Sequence, residues 1–198
     1  MKTYKSIRIF KNAWLERLTH VHPVTPLLVW TPIVAWLCHK AWQAPFDRTL
    51  SLLVFVSGFF CWTLFEYFLH RFAFHYHGSS VLSQKIQFLF HGLHHEDPQD
   101  PTRLVMPPAV SLVLAAVHVV FLQKILGDLW YAFFASYVIG YLCYDYTHYA
   151  VHHFTPRTRF GHFIKKFHME HHFLSQESRW GVSSPLWDIV FGTMTNKK

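Results

Sequence analysis

The sequence has few charged side chains. Only 15% of its 198 residues are Asp, Glu, Lys or Arg, whereas an ordinary soluble domain has roughly 25%. Hydrophobic residues make up 52% of the chain and aromatic residues 19%. So much apolar side chain excludes an intrinsically disordered protein, and so little charge argues against a water-soluble enzyme with an ordinary polar surface.

Cysteine is also scarce. Cys38, Cys61 and Cys143 are widely spaced in apolar stretches, which excludes a disulfide framework and an iron–sulfur cluster. We interpret them as small buried apolar side chains. The N-terminal segment lacks the short apolar run and small-residue site of a cleavable signal peptide. Membrane insertion is therefore expected to use internal, uncleaved segments.

Four apolar stretches have lengths close to the roughly 20 residues that a helix needs to cross a bilayer. They are residues 24–42, 50–68, 107–126 and 129–147. Pro32 and Lys40 weaken the first stretch, and Gly127-Asp128 predicts a tight turn between the last two. The predicted fold class is all-α: an integral membrane bundle of about four transmembrane helices.

The positive charge is unevenly distributed along the chain. With four spans, 15 of the 18 Lys and Arg residues lie on one side of the membrane, together with both termini. The excess of positive charge in cytoplasmic loops identifies this side as cytoplasmic. The net charge of +7 then reflects topology and needs no nucleic acid partner. The expected location is multi-pass, in the endoplasmic reticulum of a eukaryote or the inner membrane of a bacterium.

Histidines are unusually frequent and clustered. Thirteen of the 17 fall in residues 70–95 and 148–172, which both begin at the cytoplasmic end of a predicted span. Two H-x-x-H-H triplets and one i, i+4 pair each present imidazoles on a single helix face. His70 and His75 are i, i+5, about 140° apart on an ideal helix, which suits a helix end or two different metals.

A single H-x-x-H-H triplet does not by itself indicate a metal site, because it is also found where a helix presents a polar face. Four motifs that converge on one membrane face are different, because unpartnered polar clusters there are costly. Ten histidines exceed the needs of one ion but suit two ions with about five ligands each, held in a cytoplasmic histidine-rich helical cap. The ten are His70, His75, His91, His94, His95, His148, His152, His168, His171 and His172.

Several nearby residues are candidates for supporting roles. Glu66 and Asp145 precede His70 and His148 by about one helical turn and are predicted to accept the second ring N–H of a ligating histidine. His77 is a weaker candidate for the same supporting role. His153 points away from the face of its neighbours and is a supporting or purely structural residue.

The type of ligand alone does not identify the metal, because imidazole binds iron, copper, zinc and nickel. The sequence has no axial-ligand motif for haem. A pair of redox metals at a lipid surface favours oxygen activation directed at the C–H bonds of a lipid, with the protein supplying geometry and excluding water.

These residues lie in longer segments that resemble the fatty acid hydroxylase superfamily, the membrane histidine-box di-metal oxygenases, and within it the fatty acid or sphingolipid (ceramide) 2-hydroxylases. The segments are WTLFEYFLHRFAFH (62–75), FHGLHH (90–95), DPTRLVMPP (100–108), YDYTHYAVHH (144–153), KFHMEHH (166–172) and GVSSPLWDIVFGT (181–193). Because the similarity extends beyond the histidines, it separates this subfamily from sterol and carotenoid oxygenases.

The resemblance implies O2-dependent hydroxylation at C2 of a fatty acyl chain, carried by a ceramide or a fatty acid. It implies that the ten histidines bind two metal ions, with iron expected for activity and zinc possible in a purified sample. The adjacent pairs 94/95 and 171/172 are expected to divide between the ions. Since the chain has no fused cytochrome domain, the expected electron donor is a separate cytochrome b5, or a ferredoxin with its reductase.

The length of the chain, its apolar stretches and its histidine motifs, together with the resemblance, predict one fatty acid hydroxylase domain over residues 1–198. Its parts are a basic cytoplasmic tail (1–23), a first helical hairpin (24–69), histidine boxes 1 and 2 (70–106), a second hairpin (107–147), and boxes 3 and 4 with a C-terminal cap (148–198). A short cap helix is predicted to contain Trp187 and to follow Trp180. These two tryptophans either guide the acyl chain or serve as packing and interfacial anchors.

Two other functions stay open from the sequence. One is a related membrane di-iron oxygenase that acts on a sterol or carotenoid. The other is a metal transporter or metal-storage protein, although a transporter should place its ligands near the bilayer midplane and these motifs lie at the ends of spans.

Overall fold

All regular secondary structure in the described part of the chain is helical. The computed structural model describes residues 4–195, and they form nine α-helices with two π-helical turns and one 3-10 turn between them. The α-helices are α1 (Ala13–Leu18), α2 (Thr25–Gln43), α3 (Arg48–Phe68), α4 (Val81–Gln87), α5 (Leu93–Glu96), α6 (Pro108–Leu126), α7 (Trp130–His153), α8 (Arg159–Phe173) and α9 (Leu186–Phe191).

Helices α3 and α7 form the central pair of the bundle, and α2 packs beside them on α7. Gly58 permits this close approach, because a Cβ at that position would lie 2.1 Å from the carbonyl oxygen of Phe133 and 2.4 Å from Ser136 Oγ. Small residues play the same role at many helix contacts in membranes. The ring of Trp62 then fills the core between the helices, packed edge-on against Tyr137 and Tyr141.

Helices α6 and α7 form the hairpin that Gly127-Asp128 predicts. Gly127 has a φ of 50°, a left-handed conformation that costs glycine little, and the 3-10 turn Gly127–Leu129 reverses the chain. The hydrogen bond between His118 Nε2 and the Tyr137 hydroxyl (3.2 Å) joins positions almost equally far from the turn. The turn prediction is therefore confirmed.

Two continuous helical stretches of residues 4–195 are long and apolar enough to cross a membrane: Arg48–Phe74 and Pro108–His153, the second being the α6–α7 hairpin. Large apolar side chains on these helices are exposed, among them Leu53, Val117 and Ile125. Exposed apolar faces of this extent are unstable in water and suit contact with lipid. The three cysteines also lie exposed on these helices and on α2, so the prediction that they are buried is wrong.

The described part of the predicted N-terminal tail is packed against the loop before α6 rather than free. The nearly buried guanidinium of Arg103 donates to Glu16 Oε1 (2.7 Å) and to the Ile7 carbonyl oxygen (2.5 Å). The Val21 amide donates to the Thr102 carbonyl oxygen (2.7 Å). These contacts hold the segment that follows α5 against the N-terminal segment.

Candidate metal centre

Box 1 lies on a π-helical turn that continues α3. Residues Leu69–Phe74 form this turn, and the His75 amide donates to the His70 carbonyl oxygen (3.2 Å), five residues back. The wider turn brings positions i and i+5 to one face, and π-helical turns are frequent at functional sites. The ring nitrogens of His70 and His75 belong to the same cluster of ligand atoms. The alternative that these two histidines bind different metal ions is therefore wrong.

A second π-helical turn, Phe88–Gly92, carries His91 and leads directly into α5 with His94 and His95. The C-terminal part of α7 carries His148 and His152, and the C-terminal half of α8 carries His168, His171 and His172. All four boxes meet around the C-terminal ends of α3 and α7, and nine of the ten histidines are buried while His95 is half-buried.

The ten histidines form two groups of five, and in each group the ligand nitrogens lie within 4.8 Å of one another. We name them group A and group B. Group A is His70, His75, His91, His95 and His171. Group B is His94, His148, His152, His168 and His172. Each adjacent pair is divided between the groups: His95 and His171 lie in group A, whereas His94 and His172 lie in group B. This is the division expected if each group binds one ion.

The spacing of the ring nitrogens fits a metal ion in each group. Neighbouring Nε2 atoms lie 3.1 Å apart between His70 and His91 in group A, and 2.8 Å apart between His94 and His148 in group B. Two nitrogens at right angles around an ion with bonds of ~2.1 Å would be about 3.0 Å apart. Five converging Nε2 atoms cannot all be satisfied by hydrogen bonds among themselves, whereas one cation accepts all their lone pairs.

The environment keeps these imidazoles neutral, which is the form that binds metals. Burial, followed by the neighbouring imidazoles, lowers the pKa of His75 to about 2 and that of His95 to about 3. Burial also lowers the pKa of His171 to about 4, although the Ser178 carbonyl oxygen partly offsets it. Neutral ligands are therefore available at physiological pH without loss of a proton.

The two groups differ in the partners of the second ring nitrogen, Nδ1. In group A, His70 Nδ1 donates to the Trp180 carbonyl oxygen (2.5 Å) and His171 Nδ1 to the Ser178 carbonyl oxygen (2.8 Å). The Nδ1 atoms of all five group B histidines are buried and have no hydrogen-bond partner among residues 4–195, and within group A the same holds for His95 Nδ1. A carbonyl acceptor fixes the tautomer and orients Nε2 towards the ion.

The carboxylates predicted to support the histidines have other partners. Glu66 accepts from the backbone N–H groups of Val182 and Ser183, both at 2.8 Å. Asp145 accepts from the Met106 amide (3.1 Å) and the Tyr141 hydroxyl (3.1 Å). The prediction that they bind a histidine ring directly is wrong, because each of them ties a distant segment to its helix.

The two weaker histidine candidates lie outside both groups. His77 is exposed, and its Nε2 contacts Glu177 Oε1 at 3.1 Å. His153 is half-buried and packs its ring on Tyr149, with centroids 4.5 Å apart. No hydrogen bond joins either residue to a group A or group B histidine within the described chain, so a supporting role for His77 is not borne out.

The two tryptophans take different places. Trp180 is buried against group A, with its ring 4.9 Å from that of His75 and 5.4 Å from that of His171. Trp187 lies on α9, and its Nε1 donates to Thr63 Oγ1 of α3 (3.0 Å). Trp180 therefore covers group A, whereas Trp187 fastens the cap helix to the bundle.

Sequence reasoning missed Asp188 of α9. This buried carboxylate accepts from the Trp180 and Gly181 amides (2.9 and 2.8 Å) and from Thr193 Oγ1 (2.7 Å). Its one visible signal is an acid inside an otherwise apolar helix, LWDIVF, which needs a partner when buried. Its backbone partners, the amides of residues 180 and 181, lie outside the helix and cannot be read from its periodicity.

Comparison with known proteins identifies the family. The fatty acid hydroxylase family model matches residues 55–193, which include all ten histidines. The chain belongs to the fatty acid hydroxylase family. This family membership agrees with the resemblance seen in the histidine motifs and in the segments that surround them.

Relatives of this fatty acid hydroxylase cover nearly the whole chain. It is 35% identical to dihydroceramide fatty acyl 2-hydroxylase FAH1 of Arabidopsis thaliana, over 99% of the chain and 83% of the relative. It is 38% identical to ceramide very long chain fatty acid hydroxylase SCS7 of Saccharomyces cerevisiae, over 95% of the chain but only 49% of that longer protein.

A solved structure described as full-length scs7p, with only the hydroxylase domain visible, has the same fold as this fatty acid hydroxylase. The TM-score is 0.90 at 37% identity, and the match covers 96% of the chain and 73% of the solved one.

Proposed function

We propose that the chain hydroxylates C2 of a fatty acyl chain on a ceramide or fatty acid, with O2 as co-substrate and two metal ions held by groups A and B. The observation that carries the proposal is the pair of five-histidine groups in a chain whose relatives are named fatty acyl 2-hydroxylases. Redox ions such as iron, when bound, supply oxygen activation and attack on an unactivated C–H bond. Zinc also binds imidazole but has no redox chemistry.

The residues of the chain hold, orient and shield this centre. Ten neutral imidazoles offer their Nε2 lone pairs, and two backbone carbonyls orient His70 and His171. Trp180 covers group A with a buried ring. Burial of these side chains excludes water from the ion sites, and exclusion of water from an active site prevents side reactions.

The proposed site for the acyl chain is a cleft of about 510 Å³, lined mainly by residues of α7, of α8 and of the loop between them. This volume lies in the usual range for small-molecule sites, roughly 300–1,000 Å³. Its apolar lining residues include Ala150 and Ile164, and its polar lining residues include Arg157. The cleft lies between α7 and α8, which carry four of the five group B histidines.

The proposed topology has four spans: α2, α3, α6 and α7. Helix α2 has 19 residues and packs on α7 beside α3. Because 15 of 18 Lys and Arg residues then share one side with the histidine boxes, we place the centre and both termini at the cytoplasmic face. The proposed domain is single, and its electrons come from a separate donor protein, such as cytochrome b5 or a ferredoxin with its reductase.

The test is lipid analysis of a host that lacks 2-hydroxylase activity. Expression of the chain should produce 2-hydroxylated acyl chains, and His171→Ala should abolish them. The matched control is His162→Ala on the same helix, since the His162 ring is exposed and hydrogen-bonds only to the carbonyl oxygen of Thr158, the N-cap of that helix. Absence of 2-hydroxylated products with the ion-loaded protein, or oxidation of a sterol or carotenoid instead, would contradict the proposal.

A further inference from the structure

Residues 178–183, which we name the clamp segment, supply both carbonyl oxygens that orient group A. The Ser178 oxygen accepts from His171 and the Trp180 oxygen accepts from His70. Only one residue, Arg179, separates these two acceptors. No corresponding acceptor serves the Nδ1 atoms of group B in the described chain, so any effect of the clamp segment on ligand orientation is confined to group A.

The conformation of Arg179 allows both carbonyls to serve one group. Its φ is 62°, in the left-handed region that a residue other than glycine rarely adopts. Such a conformation persists only where the surroundings hold it. Here the Arg179 amide donates to the Thr193 carbonyl oxygen (2.9 Å), and its Nε contacts Glu170 Oε2 of α8 at 2.9 Å.

Two buried carboxylates hold the rest of the clamp segment. Asp188 accepts from the amides of residues 180 and 181, and Glu66 accepts from those of residues 182 and 183. Four consecutive backbone N–H groups are therefore fixed by two side chains, one on α9 and one on α3. The fit is tight at Gly181, where a Cβ would lie 2.0 Å from the Ser184 carbonyl oxygen.

We propose that Asp188 and Glu66 are positioning residues for group A alone. They fix the clamp segment, whose carbonyls set the tautomer and direction of His70 and His171, and they thereby make group A the tighter of the two ion sites. The inference rests on the proposed function, because it presupposes an ion in each group. Loss of an acceptor behind a metal-binding histidine typically weakens metal binding 10- to 100-fold.

The test first measures zinc binding by each group alone and then measures the effect of changing the clamp segment. In one background, His148→Ala with His168→Ala disables group B; in the other, His75→Ala with His91→Ala disables group A. Each full-length protein is loaded with zinc, exposed to a chelator, and its residual zinc is measured by mass spectrometry against chelator concentration. Zinc in group A should resist chelation better than zinc in group B.

Asp188→Asn should weaken zinc binding about 10- to 100-fold where only group A remains, and should leave it within a few-fold where only group B remains. Glu66→Gln provides a second variant with the same expectation. Asp145→Asn is the matched control, because Asp145 is equally buried but bonds Met106 and Tyr141 instead; it should not weaken group A.

The outcomes distinguish the possible failures. Equal weakening of both groups would show general destabilisation and overturn the positioning role. Unchanged zinc binding by group A in both carboxylate variants would overturn the clamp proposal but leave the two-ion centre standing. Absence of zinc from both groups of the unaltered protein would overturn the proposed centre and, with it, this inference.

Discussion

Replacement of Gly58 by alanine tests the contact between α3 and α7 that positions the two halves of the centre. Alanine is favoured over glycine in a helix by about 1 kcal/mol, so an uncrowded site would be stabilised. The added Cβ, however, lies 2.1 Å from the Phe133 carbonyl oxygen and 2.4 Å from Ser136 Oγ, whereas ordinary contacts begin near 3.4 Å. The helices must therefore separate by about 1 Å.

Overpacking of this kind costs about 1–3 kcal/mol. Separation also weakens the hydrogen bond from Ser136 Oγ to the Phe55 carbonyl oxygen, worth about 1 kcal/mol. The costs exceed the gain in helix propensity, and we expect a net loss of about 1–3 kcal/mol.

The assay is reversible unfolding of the detergent-solubilised protein, with zinc content measured in parallel. Ser57→Ala is the neighbouring control, since Ser57 is exposed and bonds only to its own helix; it should change stability by less than about 0.5 kcal/mol. Stabilisation of Gly58→Ala by about 1 kcal/mol would show that α3 and α7 do not approach so closely and would refute the reasoning.

Three further predictions follow from the structure. Arg103→Ala should destabilise the protein by about 1.5–3 kcal/mol, because it removes the charged hydrogen bond of the nearly buried Arg103 guanidinium to Glu16, whereas loss of the exposed Lys166–Glu170 pair in Lys166→Ala should cost less than about 1 kcal/mol in the same unfolding assay. The pKa values of His75, His95 and His171 are lowered in the folded chain, so below pH ~6.5 the unfolded chain binds more protons. The metal-free protein should therefore lose about 1.4 kcal/mol per pH unit for each group between pH ~6.5 and ~4, and constant stability on acidification would contradict the assigned burial. Ala150→Trp should fill the cleft between α7 and α8 and reduce hydroxylation while zinc content stays unchanged; unreduced hydroxylation would place the acyl chain elsewhere.

The i, i+3 and i+4 spacing of the histidines was sufficient to predict eight of the ten members of the two groups, because these spacings are local properties of a helix. The pairing of His70 with His75 was not predictable, since it depends on a π-helical turn that an ideal periodicity does not reveal. The C-terminal end of α7 was also mispredicted. The helix ends at His153, six residues beyond the apolar stretch 129–147, because histidines replace apolar side chains on the inner face of its last turns.

The supporting contacts were the least predictable part of the site. Glu66 lies one turn before His70, which suggested a direct contact, yet its partners Val182 and Ser183 are more than 110 residues away. Asp188 lies in one of the segments that carry the family resemblance, residues 181–193, but nothing in that segment indicates its role. Such contacts depend on tertiary folding of the cap over the bundle. The exposure of the cysteines was mispredicted for a related reason, since apolar surroundings in a membrane protein include lipid as well as protein.

The central claim is that ten histidines form two separate five-ligand ion sites. Anomalous X-ray diffraction, recorded at the iron edge from crystals of the iron-loaded full chain, tests it most directly. We predict two peaks per chain, one among the Nε2 atoms of group A and one among those of group B. A single ion shared by the ten histidines, or iron bound away from both groups, would contradict the account.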